Sequence, residues 1–523
     1  MRRPLALAGI AVWLVACTDP GVHTQVADER VETEPTVVTE PPPETEPPPA
    51  SEAPSTSTPP EPEPPPTSAE PEAPPTSAEA APPDGEASAG DSLFDELGSS
   101  DLDVQSYDVR LSYDPESRAI DATVTIAAAL AGPVDELVLD ADELTVESVT
   151  VDGEAATFEH GGGELVIDPG GRVGPRAAED PVEITVEYED EAGAVESGGL
   201  SAEGWFPTDD GSFVLNEPDG AHTWLPSNDH PSDKATWRFE LTVPDGVAAI
   251  ANGHLVDQRD GPDGDTWVWE QREPMATYLI QLLTGDYEVL DGGMAGDTPL
   301  VNVVLAGDAT RMQRYFDLTD DQLAYFESLF GPYPLDQYGL AFTESFPGLA
   351  METQGRSLFS RTDFPDARPG LIQHLLLAHE LAHQWFGDAV TPADWGDLWL
   401  NESFASYAQW LWLDHVDLWD LESHAEENLS RRQSSTEATA EPTRGNLFGY
   451  ERYDGGAVVL HALRGELGDD TFFELLQRWV ADNDGTSRAT EDFTALAEEV
   501  AGRSLDDFFA AWLYADSLPA KYP

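Results

Sequence analysis

Hydrophobic and polar positions follow two different periods in two successive parts of the chain. Over residues 101–290 the apolar positions come in short runs with a period of two. Residues 106–113, 122–128, 136–139, 144–152, 182–189, 237–243 and 266–271 each read as a strand, with Gly, Asp and Pro between them. That spacing predicts an all-β domain of stacked or curved sheets. Past Asp308 the period lengthens. Met312, Tyr315, Phe316, Leu318, Leu323, Phe326 and Leu329 recur at helical spacing, and Gly331-Pro332-Tyr333-Pro334 ends the run. A strand over 338–343 follows. An apolar helix then covers Leu375 to Phe386, and Gly387-Asp388 breaks it. A second apolar helix starts near Trp395 and continues through Trp412. The polar stretch 426–444 reads as a loop or a loosely packed helix over part of a cleft. Four helices close the chain, over 457–467, 470–481, 490–501 and 505–513, with Asp469 or Asp470, Thr490 and Ser504 as candidate caps.

Before residue 99 neither period is present. Arg2 and Arg3 precede a short apolar run, 5–16, which is too short to span a membrane as a mature helix. The run ends Leu14-Val15-Ala16-Cys17, which resembles the lipobox of bacterial lipoproteins. The resemblance implies cleavage before Cys17, a lipid on its thiol, and export to the outer face of the bacterial cell membrane. An ordinary secretory peptide is the alternative. Cys17 is the only cysteine, so no internal disulfide forms. Residues 18–98 are rich in Pro, Glu, Thr, Ser and Ala, with almost nothing apolar to offset the entropy of ordering. They read as an extended tether. Net charge is −76, with 101 acidic against 25 basic residues. Such a field repels nucleic acid and disfavours a basic membrane-surface mode.

The chemistry concentrates in Leu375 to Trp410. His379, Glu380 and His383 form H-E-x-x-H, and Glu402 follows after eighteen intervening residues, in Trp399-Leu400-Asn401-Glu402. Residues four apart share a helix face, so both imidazoles can reach one metal ion. Glu380, beside the first ligand, can reach a water at that ion without binding it. Two histidines and a carboxylate make the ligand set of a catalytic zinc site, one ion per chain. Gly387 stands at the fourth position after His383, and no further His follows at metzincin spacing, which leaves Glu402 as third ligand.

Three more stretches resemble the M1 family of zinc aminopeptidases. Glu217-Pro218-Asp219-Gly220-Ala221, followed by Trp224 to Ala235, is similar to the segment whose Glu helps hold the substrate amine. Pro347-Gly348-Leu349-Ala350-Met351-Glu352-Thr353 is similar to the G-A-M-E-N motif, with Leu349 and Thr353 as departures. The resemblance implies that Ala350 and Met351 pair with the peptide backbone and that Glu352 binds the N-terminal ammonium, assisted by Glu217. Tyr453-Asp454-Gly455-Gly456-Ala457 is similar to Y-x-K-G-A, with Gly455 in place of Lys. There Tyr453 would donate to the oxyanion, with Tyr450 as the competing candidate. Many relatives carry a further helical-repeat domain, for which this sequence has no room; the resemblance then implies a more open cleft.

These readings define an α+β chain: an all-β domain followed by a mainly helical, thermolysin-like zinc-metallopeptidase domain. The expected division is 1–17 signal peptide, 18–98 linker, 99–292 β domain and 293–523 catalytic domain. The implied activity is release of N-terminal amino acids from peptides with a free N-terminus by a monomer. Two alternatives stand beside it: a lipid-anchored binding or scaffold protein with a structural or degenerate zinc site, and an endopeptidase on the same fold.

Overall fold

Buried and exposed side chains alternate along Leu102–Asp114 and Ala235–Val243, as a period of two requires. These strands are central in an eight-stranded sheet. Its order is His254–Gly261, Gly264–Met275, Ala235–Val243, Leu102–Asp114, Ala119–Leu130, Val182–Glu191, Thr145–Val151 and Glu154–Ala155. The two central strands run parallel and the other neighbours antiparallel. A five-stranded and a three-stranded sheet complete the β half. The computed structural model describes residues 88–195, 202–208, 211–262, 264–345 and 347–523. The signal segment, Cys17 and the linker as far as residue 87 lie outside the described residues.

A second five-stranded sheet joins the two halves. Its order is Tyr287–Ala295, Thr298–Leu305, Leu340–Thr343, Ser357–Ser360 and Ala350–Met351. The three middle strands run parallel, and Ala350–Met351 is an antiparallel edge. Leu300, Val304, Phe342 and Phe359 pack into the helical core. Val303, Ala341, Met351 and Leu358 on the same strands pack into the β core. One sheet is thus a wall of both cores. A boundary between residues 292 and 293 would cut the strand Tyr287–Ala295. The change from strand to helix falls between Leu305 and Ala309 instead, because this hairpin still belongs to a sheet.

The helices are α1 (Ala309–Phe330), α2 (Leu371–His383), α3 (Trp399–His415), α4 (Leu421–Arg432), α5 (Asp454–Leu467), α6 (Asp469–Asn483), α7 (Thr490–Ala501) and α8 (Asp506–Trp512). Trp385, just beyond α2, sits edge-on to Phe326, Phe330 and Tyr333, at 5.3 to 6.4 Å between centroids. Such pairs add about 0.5–1.5 kcal/mol each beyond the area they bury. They fix α2 against α1. Among the described residues no helix is long and apolar enough to cross a membrane.

Four local expectations are corrected. The second apolar helix starts at Trp399, after a separate 3-10 turn, Trp395–Asp397, capped by the Asp394 side chain. Helix α4 occupies the first part of the polar stretch, because Leu421, Ala425 and Leu429 bury one face at a spacing of four. Thr490 is inside α7 rather than its cap. Its hydroxyl donates to Asp397 and accepts from Trp399 Nε1, tying α7 to the start of α3. The expected linker is packed from Ser88 onward, since Phe94 and Leu97 are buried among otherwise polar neighbours.

Arg356 staples the halves together. It is fully buried and donates to the carbonyls of Ala251, Gly253 and Val301 and to Gln281 Oε1. Burial lowers its pKa, but only to about 10, so it stays charged at neutral pH. Arg356→Leu leaves these acceptors unpaired and is expected to destabilise the fold by about 3 kcal/mol or more. Urea unfolding measures this; an unchanged midpoint would refute the role.

Candidate active site

Helix α2 is apolar around most of its circumference because it is buried there: Leu375, Leu376, Leu377, Leu381 and Ala382 all face protein. His379 and His383 lie one turn apart on the side towards α3, whose first turn carries Glu402. Glu402 Oε2 is 3.1 Å from His379 Nε2 and 3.6 Å from His383 Nε2. One ligand atom from each residue lies within 4.8 Å of the others. Ligands about 2.0–2.1 Å from a tetrahedral zinc are about 3.3 Å apart. The trio therefore fits one such ion.

The outer imidazole nitrogens are also fixed. His379 Nδ1 donates to Gln409 Oε1 and His383 Nδ1 to the Phe386 carbonyl, each at 3.1 Å. Nδ1 donation turns Nε2 of each ring towards the shared centre, where a neutral ring offers its lone pair to a metal ion and a protonated ring a hydrogen bond to Glu402. Against burial, His383 and the hydrogen bonds from both imidazoles hold the Glu402 carboxyl at about 2. The carboxylates of Glu352, Glu402 and Glu380 outweigh burial at His383 and hold its pKa well above the usual value. A divalent cation satisfies the same negative field.

Glu380 is buried beside this trio and forms a second cluster with Glu352 and His383. Burial pushes its carboxyl well above the usual range, with His383 opposing and Glu352 and Glu402 adding. Glu352 follows the edge strand Ala350–Met351, and Glu217 follows the strand Gly211–Leu215. Both carboxyls are buried, and Oε1 of each has no hydrogen-bond partner among the described residues. Burial raises Glu217 far above its ordinary value, and the nearby Glu352 charge adds to the shift. Glu352 lies directly beside His383, and Glu217 shares its electrostatic field.

Tyr453 immediately precedes α5, and its ring stacks 6.0 Å from the His379 imidazole. Tyr450 faces away: its hydroxyl donates to the Asn428 carbonyl and Arg431 covers its ring. Gly455 and Gly456 mark a close approach. A β-carbon at Gly455 would meet the Tyr450 carbonyl oxygen at 2.8 Å, and one at Gly456 would meet Ser403 Oγ at 1.7 Å. The start of α5 is thereby pressed against the residue after Glu402. Thr353 stays within the shared sheet's surroundings, accepting from Gln281 Nε2 and donating to the Arg356 carbonyl. Leu349 is buried in the β core.

Four supporting residues were given no role in the sequence reading. Gln384, next to His383, donates to the Glu352 carbonyl and accepts from Gly355 N–H, joining α2 to the edge segment. Gln409 lies seven residues after Glu402, two turns along the same face of α3, and that spacing was a usable signal. Tyr278 had no such signal, and Lys234 was marked only as part of the stretch Trp224 to Ala235. They reach from the β half to the carbonyls of Gly387, Asp388 and Ala389 just beyond α2.

Comparison with known proteins agrees with this geometry. Residues 104–279 match the Peptidase M1 N-terminal domain and residues 314–512 the Peptidase family M1 domain. The chain is 26% identical over 414 residues to Probable aminopeptidase 2 of Sulfurisphaera tokodaii, covering 74% of this chain and 51% of that protein. It is also 26% identical over 454 residues to Aminopeptidase M1-B of Oryza sativa subsp. japonica, covering 80% and 50%. The chain thus spans about half the length of these curated relatives. The crystal structure of the M1 zinc metallopeptidase from Deinococcus radiodurans superposes with a TM-score of 0.73 at 28% identity, covering 83% of this chain and 99% of that one. A mutant of that protein has been crystallised with a Tyr-Ser-Ala substrate. The chain carries the paired domains of the M1 peptidase family, its β domain and its zinc-peptidase domain, in the same order.

Proposed function

We propose that this chain is a zinc-dependent aminopeptidase that removes N-terminal residues from peptides. The observation that carries this reading is the convergence of His379, His383 and Glu402, with two buried carboxyl oxygens of Glu217 and Glu352 left as open acceptors beside them. Zinc held by the trio would act as a Lewis acid and activate water at neutral pH. Glu380 takes the proton of the attacking water and passes it to the departing amine; its raised pKa suits a group that must hold that proton. Tyr453 donates to the developing oxyanion. Glu352 and Glu217 accept charge-assisted hydrogen bonds from the α-ammonium, and the edge strand Ala350–Met351 pairs with the peptide backbone. An ammonium held at a fixed distance from the metal presents only the first peptide bond for cleavage.

The same proposal extends to location. The pattern around Cys17 supports an exported protein held at the outer membrane face by a lipid on that thiol. Cys17→Ser is expected to move the protein from the membrane fraction to the soluble one, and wild-type protein that is already soluble rejects the anchor.

Glu380→Gln is expected to keep its zinc, measured as metal per chain, and to lower turnover of an aminoacyl anilide by roughly 10²–10⁴-fold. Unchanged turnover in the zinc-loaded variant rules out the proton-transfer role. N-acetylated peptides should be cleaved far more slowly than free ones. Glu352→Ala should raise KM for free-amine substrates while leaving the residual rate on acetylated ones unaltered. Equal rates on both peptide types would establish an endopeptidase instead.

A further inference from the structure

The segment 88–99, directly after the acidic Pro-rich stretch, reaches across both halves to the turn that opens the Glu402 helix. Its centre is Asp91, which is 3% exposed. Asp91 Oδ1 accepts the N–H groups of Leu93 and Phe94, each at 2.8 Å, and so folds the segment on itself. Asp91 Oδ2 accepts the N–H of Trp395, also at 2.8 Å. The same oxygen lies 3.4 Å from His230 Nε2 in the β half. His230 Nδ1 accepts from the Ser232 N–H, which leaves the ring proton on Nε2, facing Asp91. One carboxylate thus lies between the two halves, bonded to the Trp395 turn and 3.4 Å from His230.

Trp395 begins the 3-10 turn Trp395–Asp397, and the next residue, Leu398, accepts the N–H of Glu402 at 3.1 Å. Displacing Trp395 therefore displaces the backbone that aims the Glu402 carboxylate. A second contact reinforces the first: Ser92 donates through N–H and hydroxyl, at 2.7 and 2.5 Å, to Asp394, which caps this turn. Phe94 is fully buried and packs edge-on to Trp395. The bonds from Asp91 and Ser92 to the Trp395 turn are not local. Residues about 300 positions apart are joined, so the segment can hold the turn only in the folded chain.

We propose that Asp91 is a positioning residue for the metal site, holding the Trp395 turn so that Glu402 stays in register with His379 and His383. This rests on the zinc reading above. Asp91→Asn in the full-length chain tests it sharply. The amide oxygen can keep the Leu93–Phe94 turn, but the amide nitrogen then opposes the Trp395 N–H, and flipping the amide only moves the clash. Zinc affinity, measured by chelator competition well below the unfolding temperature, is expected to fall by about 10–100-fold, the range for disturbed metal-site supports. Ser92→Ala removes the milder contact and is expected to weaken zinc in the same direction by a smaller factor, which serves if Asp91→Asn does not fold. A folded variant with a lower melting temperature but wild-type zinc affinity overturns the proposal. Wild-type chain that binds no zinc overturns the functional reading itself.

Discussion

Burial of like charge is the constraint on which this structure turns. Glu217, Glu352, Glu380 and Glu402 lie together at 2–4% exposure, with Asp388 fully buried nearby and only two imidazoles among them. Taking each carboxylate out of water costs several kcal/mol, and an apolar core of the same volume would be more stable. A site that keeps such a cluster is built to receive positive charge. In the proposed function a divalent ion and a substrate ammonium would offset three of the four glutamate charges, and the remaining carboxyl, Glu380, is the one that must carry a proton. The buried charge that costs the fold stability is thus what the proposed chemistry requires.

Holding that cluster demands rigid surroundings, and the shared sheet supplies them. Because alternate residues of the same strands enter different cores, neither half can shift without disturbing the other. The edge strand carrying Ala350 and Met351 is part of this wall, and Gln384 joins it to the residue after His383. Substrate-facing and metal-facing groups are thereby set by one framework. The close contact of Gly456 with Ser403 does the same for Tyr453, bringing the head of α5 against the helix of Glu402.

Buried arginines solve a second problem. In a chain with a fourfold excess of acid, carboxylates are available everywhere, yet Arg356 and Arg452 are tied chiefly to backbone carbonyls. Carbonyls in sheets and turns cannot move as a side chain can, so the planar donors fix loops at defined separations. Arg452 gathers the chain at Ala438 and Leu447 beside Tyr453, and Arg356 gathers the strands where the two halves meet.

Much of this was legible in the sequence because it rests on local periods. The period of two gave seven of the strands between Leu102 and Met275, though not Glu164–Asp168, Gly211–Leu215 or Ala248–Ala251. Helix geometry put His379 and His383 on one face, while Glu402 followed from the ligand set and the motif. Tyr453 could be separated from Tyr450 by register with Gly456-Ala457, although only the fold shows Tyr450 turned to α4. The domain boundary, the start of α3 at Trp399 and the packed segment from Ser88 were not legible. Each depends on partners distant in the chain: a hairpin claimed by a sheet, a turn held by Asp91 and Ser92, a polar stretch anchored by Phe94. Sequence determines which face of an element is apolar and which residues can meet within a few turns. Which distant surfaces then cover those faces is decided by packing, because burial rewards any complementary surface and the sequence carries no separate mark for the one chosen.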